Sequence, residues 1–338
     1  LTREQAAKII CYMMMGPANA EKLSNNSTIF SDVAPNRWSA PFIAYCANLG
    51  ILAGVGNNKF NPEGELTGLT FGKMLLVALG YDAKIEGYVG KDWATNVAVD
   101  MVSAGIDVKG ITLSDPLSRD NAAQMAFQTL TADMVYYTNK GTEVTTSDGT
   151  SIVIGASDAA KVANSLTNDY RTTNRDTIQQ FCEKYFEKLT ARNSGTDGMG
   201  RPADEWLYKN SSVGVYAATP DYTGYVTAKN NTTVKVIDSI SKKFADSNAT
   251  VTVNGAPSTL TAAVNVGDYV EIFMDANDVE KVDIIAITHK SVAKLTGDAA
   301  TKVDGDDTLV KVPGISGLAG YKADNTTKTV HGYDDLKI

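Results

Sequence analysis

Apolar residues recur at helical spacing through the first part of the chain. Ala6, Ile9, Ile10 and Met13 follow Thr2, and Thr2 with Gln5 has the form of a capping box, so the spacing predicts a helix ended by Gly16-Pro17. A second helix is expected from Pro35-Asn36, with Trp38, Phe42, Tyr45, Cys46 and Leu49 on one face and Gly50 placed for a left-handed C-cap. Gly54 and Gly56 allow a tight loop before Phe60-Asn61-Pro62. Thr67 or Thr70 can then cap a helix whose stripe is Phe71, Met74, Leu75, Ala78 and Leu79.

This unit recurs. Trp93 takes the place of Trp38, Val97 and Met101 continue its face, and Ala104-Gly105-Ile106 matches Leu49-Gly50-Ile51. Leu117-Ser118-Arg119-Asp120 repeats Leu1-Thr2-Arg3-Glu4. Residues 1–137 thus hold the tail of one repeat and two further repeats, and units this small must pack against copies of themselves to bury their apolar faces.

Residues 138–155, rich in Thr, Ser, Gly and Asp, read as a linker or short hairpin. Residues 156–210 read as a helical segment. Ala159, Val162, Ala163 and Leu166 suggest a short helix, and Ile178, Phe181, Cys182, Tyr185, Phe186 and Leu189 a longer one starting near Asp176. After Trp206 the period changes from helical to alternating, as in Val270, Ile272 and Met274, then Val282, Ile284 and Ala286. Residues 211–290 are expected to be a β-rich module and 291–338 a partial further module or tail. The fold class is α+β multidomain: an N-terminal helical bundle, a helical segment, and small antiparallel β-barrel or sandwich modules.

Composition narrows the function. The net charge of −8 argues against nucleic acid, which needs a concentrated basic surface. Cys11, Cys46 and Cys182 lack metal-ligand spacing and read as buried free thiols, while His289 and His331 are the only histidines. No apolar run is long enough to span a bilayer. The chain opens directly on a helical pattern, so a trimmed or partial chain is expected and the missing signal peptide says nothing of compartment.

The order Phe30-Ser31-Asp32-Val33, Trp38, Gly50-Ile51 to Gly54, Phe60-Asn61-Pro62 and Leu1-Thr2-Arg3-Glu4 resembles the S-layer homology domain over roughly residues 1–137. The resemblance implies a pseudo-trimeric bundle whose inter-repeat grooves bind secondary cell-wall polysaccharide, often through a pyruvylated sugar. It also implies an extracellular location on a bacterial surface and, with the remaining modules, self-association into an array. Carried over by motif, the glycan-binding residues would be Arg3, Arg119, Trp38, Trp93, Asp32 and Gly54. Arginine at a helix N-terminus suits a carboxylate, and tryptophan offers a flat face to a sugar. Gly68 stands where the middle repeat would carry its arginine, and Tyr88-Val89-Gly90-Lys91 replaces the Phe-x-Asp-Val entry of the third. Residues 200–217 also look like a stretch found after such repeats in some S-layer-type proteins.

Blander readings stand beside these. Both tryptophans could serve the core, and Asp32 could cap a turn instead of touching a sugar. Asp275-Ala276-Asn277-Asp278 and Asp304-Gly305-Asp306-Asp307 are weak calcium candidates, since neither has the glycine and glutamate of the twelve-residue calcium loop; hairpin turns explain both. No cofactor is implied. Serine-elbow, zinc-protease and phosphate-loop motifs are missing, so the expectation is a non-enzymatic structural surface protein. An adhesin or ligand-binding protein using the repeats as its anchor is the alternative. A wall-anchored hydrolase with its catalytic part outside this chain is a third.

Overall fold

A computed structural model describes the chain apart from residues 25–28, 107–110, 146–150, 230–233, 236–248, 260–263, 276–277, 290–299, 305–306, 313–327 and 332–338. Of the residues read above as turns or calcium candidates, Ala276, Asn277, Gly305 and Asp306 lie outside the described set. The chain divides into two compact units, residues 1–192 with 205–214, and residues 193–204 with 215–338. Each is described by itself.

The first unit is built on α1 (Arg3–Met15), the short α2 (Pro17–Ala20), α3 (Ala40–Asn48), α4 (Gly68–Leu79), α5 (Trp93–Ser103) and α6 (Arg119–Thr129). Thr2, Thr67 and Ser118 cap α1, α4 and α6 in the same way, each side chain accepting from the third backbone N–H of its helix. The expected capping box at Thr2 and Gln5 is present in full. The residues just before these caps join the helices. Leu66 N–H donates to the Leu1 carbonyl (3.0 Å), Leu117 N–H to that of Leu66 (2.7 Å), and Leu1 N–H to that of Leu117 (2.8 Å). The three helix entries therefore form a closed ring of main-chain hydrogen bonds.

Beneath the ring lies one apolar core containing Ile10, Ile43, Phe60, Leu66, Phe71, Leu75 and Met101, all nearly fully buried. Gly50 and Gly105 take the expected positive φ after α3 and α5 (71° and 78°), and Ile51 and Ile106 donate back into those helices at Cys46 and Met101. Cys11 and Cys46 are fully buried free thiols whose sulfurs sit 3.7 Å apart between α1 and α3. Helix α3 begins later than its pattern predicts: Trp38 lies in the preceding turn, half exposed, instead of on the buried face.

A charge network joins α1 to that turn. Glu4 is buried and accepts from Arg37 Nε (2.7 Å), Arg37 Nη2 (3.0 Å) and Ser39 Oγ (2.5 Å), while Arg37 also reaches Glu63 (2.8 Å). Burial alone would raise the Glu4 pKa, but the Arg37 and Ser39 hydrogen bonds outweigh it and the net shift is downward.

Strands β1 (Val135–Tyr136), β2 (Thr142–Thr145), β3 (Ser151–Ile154) and β4 (Ala160–Lys161) follow, with β1 pairing β4 and β2 pairing β3, both antiparallel. The expected helical segment over 156–210 is not observed. Its stripe forms only the five-residue α7 (Phe181–Tyr185), after which the chain extends into β5 (Leu189–Thr196) and β6 (Pro202–Tyr208). The apolar residues have divided destinations, which a single helical face cannot meet. Phe181 enters the core of the repeats, whereas Cys182 joins Tyr170, Ala191 and Trp206 in a separate cluster. There Trp206 stacks on Tyr170 (5.6 Å, 10°) and meets Phe127 edge-on (5.7 Å).

Strand β7 (Ser211–Ala217) completes a three-stranded sheet in the order β5-β6-β7. The second unit continues through β8 (Tyr222–Tyr225), β9 (Ala228–Lys229), β10 (Val234–Lys235), β11 (Thr250–Val253), β12 (Ala256–Ser258), β13 (Tyr269–Asp275) and β14 (Asp278–Thr288). Its main sheet is open, ordered β12-β11-β14-β13-β8, with β11 parallel to β14. Among the described residues no barrel closes, so the barrel expectation is corrected to small sheets. Val251, Val270, Ile272, Val282, Ile285 and Ile287 form the core of this unit. Strands β15 (Ala300–Asp304), β16 (Asp307–Val312) and β17 (Lys328–His331) make a further antiparallel sheet. Asp275 pairs with Asp278 and Asp304 with Asp307 across antiparallel strands.

The Glu4 network gives a pH-dependent prediction. Glu4→Gln should lower unfolding free energy at pH 7 by about 1–3 kcal/mol, because its partners lose a charged acceptor in a buried place. A depressed folded-state pKa contributes stability above the unfolded carboxylate value of about 4.3 and loses it as pH falls through the lower folded value. Urea titrations from pH 7 down to 3 should therefore show the gap between wild type and Glu4→Gln closing at the acid end.

Candidate functional site

A groove of about 390 Å³ opens between α1 and the start of α6. Leu1, Gln5, Lys8, Ile9 and Tyr12 line one wall, Arg119, Ala122 and Ala123 the other, and Trp38 closes one side. The small alanines on α6 leave the space, and Trp38 is 50% exposed, so a flat aromatic face is available to a ligand. Arg119 is exposed at the first position of α6, and its side chain makes no ion pair or hydrogen bond among the described residues. The positive end of the helix dipole reinforces its attraction for an anion.

Lys8 stands 5.9 Å from the Trp38 ring centre, 5.3 Å from Phe42 and 5.1 Å from Tyr12. Its ammonium also pairs with Glu21 at 2.8 Å. The Glu21 carboxylate, and after it the Tyr12 hydroxyl, push the Lys8 pKa up.

The other residues expected at a ligand site are placed differently. Arg3 is turned into the protein: Nε donates to the Phe60 carbonyl (2.8 Å), Nη2 to that of Ala53 (2.6 Å), and the guanidinium sits 4.6 Å from the Phe60 ring centre. Burial lowers its pKa, partly opposed by Asp32. Asp32 accepts from the backbone N–H of Phe60 (2.8 Å) and Asn61 (2.7 Å). Burial alone would raise its pKa, but those bonds outweigh it and the net shift is downward. Gly54 is required by a close approach, since a Cβ there would lie 2.7 Å from the Lys59 carbonyl oxygen and 2.8 Å from the Phe30 ring. Arg3, Asp32 and Gly54 thus come together to build the loop between α3 and α4.

Trp93 opens α5 half-buried, with Lys73 Nζ 6.0 Å from its ring centre. This repeats the Lys8–Trp38 pair in the next repeat. Here the lysine is committed, donating to the Tyr88 carbonyl at 2.6 Å, and burial lowers its pKa. Gly68, at the helix start, packs against Leu113, where a Cβ would come within 3.0 Å of the Leu113 side chain. The second repeat therefore combines a committed lysine with a helix start that carries no cation. Trp38 and Arg119 share the open groove. Lys8 and Tyr12 are the residues motif reasoning missed, although Lys8 and Lys73 occupy the same place after their caps and could have been read as a repeated feature.

Residues 29–71 match the model of the S-layer homology domain family, and the chain carries such a domain there. Its relatives include an endoglucanase from Bacillus sp. (strain KSM-635), 30% identical over 123 residues, covering 34% of this chain and 13% of that protein. A cell surface protein of Thermoanaerobacter kivui is 28% identical over 146 residues, 43% of this chain and 18% of that protein. An S-layer protein of Bacillus licheniformis is 29% identical over 134 residues, 37% of this chain and 15% of that protein. The matches span less than a fifth of the length of these relatives. Among the described residues no helix is long and apolar enough to cross a membrane.

The two arginines should separate cleanly in stability. Arg3→Ala, losing two charged hydrogen bonds to loop carbonyls, should lower unfolding free energy by about 1.5–3 kcal/mol. Arg119→Ala should stay within about 0.5 kcal/mol of wild type. Denaturant unfolding of both variants at neutral pH checks this.

Proposed function

We propose that this chain is held on a bacterial cell surface by binding an anionic cell-wall polysaccharide in the groove between α1 and α6, and that its remaining modules contribute to assembly into an array. The cell-surface location follows from the S-layer homology domain and from relatives named as cell surface and S-layer proteins. S-layer homology domains bind cell-wall polymers. The observation that carries the binding reading is the juxtaposition of half-exposed Trp38 with uncommitted Arg119 in one groove. A sugar ring stacked on Trp38 would present its carboxylate, a pyruvyl ketal for example, to the guanidinium and the helix N-terminus. Such a charged hydrogen bond contributes on the order of 1.5–3 kcal/mol. One groove of that strength holds weakly, and an array would multiply it through avidity.

The ring joining Leu1, Leu66 and Leu117 supports reading the repeats as a pseudo-trimeric bundle, with α1, α4 and α6 as equivalent members. By this reading the groove containing Arg119 binds the glycan, and Arg3, Asp32 and Gly54 hold the loop that shapes the bundle. Trp93, whose lysine neighbour is turned to a carbonyl, has a packing role. Calcium has no part in this reading.

A second reading draws on the endoglucanase relative: the same anchoring segment could serve a hydrolase whose catalytic part lies outside this chain. Both readings share the anchor and differ in its cargo. Purified protein forming ordered sheets under electron microscopy favours the array.

The anchor is tested by pull-down on purified cell walls. Trp38→Ala and Arg119→Ala should each reduce the bound fraction about tenfold at moderate salt, as expected for loss of about 1.4 kcal/mol of affinity. Wild-type retention by the folded double variant removes the groove from the proposal.

A further inference from the structure

Glu21 occupies a place that the groove's chemistry makes consequential. Gly16 (φ 75°) and Pro17 end α1 and start α2, and this reversal brings the chain back over α1 so that Glu21 meets Lys8 and Tyr12. One carboxylate oxygen, Oε1, takes both the Lys8 ammonium at 2.8 Å and the Tyr12 hydroxyl. Lys8 and Tyr12 both line the groove, whereas Glu21 stands outside that lining. In the next repeat the equivalent Lys73 donates to a main-chain carbonyl, which leaves its charge uncancelled. Glu21 is thus a carboxylate already seated on one of the two cationic side chains among the described residues of the groove.

We propose that Glu21 is a built-in competitor for the anion site. It holds Lys8, leaves Arg119 as the groove's uncommitted cation, and so sets the groove to accept a glycan with one carboxylate over one with two. This rests on the reading that the groove takes an anionic glycan. A second ligand carboxylate can be neutralised only by displacing Glu21 from Lys8. The pair is exposed, so displacement is a matter of a few-fold in affinity and acts as a selectivity filter, not a lock.

The test uses the full chain and two defined probes, a disaccharide ending in glucuronate with one carboxylate and digalacturonate with two, titrated by calorimetry or NMR at low salt. Wild type should bind the first probe, and Arg119→Gln should lose it. Glu21→Gln should tighten digalacturonate binding about fivefold, the size expected for an exposed pair. That gain should vanish when Lys8→Gln is added. Matching thermal unfolding curves check that the variants are folded. If Glu21→Gln leaves digalacturonate affinity at the wild-type value while Arg119→Gln still abolishes binding of the first probe, Glu21 is no competitor and the groove stands. A gain that persists without Lys8 is a general charge effect and also overturns the proposal. Equal failure of wild type and Arg119→Gln to bind either probe overturns the groove reading together with it.

Discussion

The first unit depends on a ring of three main-chain hydrogen bonds between Leu1, Leu66 and Leu117. Each leucine precedes the cap of its helix, so the ring fixes where α1, α4 and α6 begin and how their first turns face one another. Buried backbone groups must be paired, and here each entry strand satisfies its neighbour. The contacts are distant in sequence, which makes the loop-closure entropy a shared cost that the common core must offset. No single repeat completes its own set of bonds.

The same repetition explains how the arginines diverged in use. A cation at a helix N-terminus opposes the dipole and needs compensation. Arg3 finds it in the carbonyls of Phe60 and Ala53 and the face of Phe60. The middle repeat avoids the problem with Gly68, which lets the chain approach Leu113. Arg119 alone of the three positions keeps an exposed charge with no partner among the described residues. A feature repeated in sequence has become structural, absent and available in turn.

Local signals were the legible ones. The caps at Thr2, Thr67 and Ser118 and the glycine stops at Gly50 and Gly105 depend on neighbours within a turn, so residue order alone reveals them. The stripe from Ile178 to Leu189 misled because periodicity counts apolar residues without saying that they pack in one place. Phe181 and Cys182 are adjacent yet enter different clusters. The parallel pairing of β11 with β14 is set by long-range register, which alternation does not encode. At the candidate groove, motif matching pointed to Trp38 and Arg119, which both line it, but could not tell an arginine in the groove from one folded inward. Lys8 and Glu21 were missed because their meeting depends on the reversal at Gly16-Pro17.

The groove takes its walls from α1 and α6, helices at opposite ends of the repeat region, so it exists only while the whole region is folded. A ligand that binds there and not to the unfolded chain adds its binding free energy to the stability of the fold, by about 4 kcal/mol at a concentration a thousandfold above its dissociation constant. Attachment and folding then become one linked equilibrium. A chain seated on its wall glycan unfolds less often than the same chain adrift, and a protease that cuts only opened chains would spare the attached population and remove the loose one.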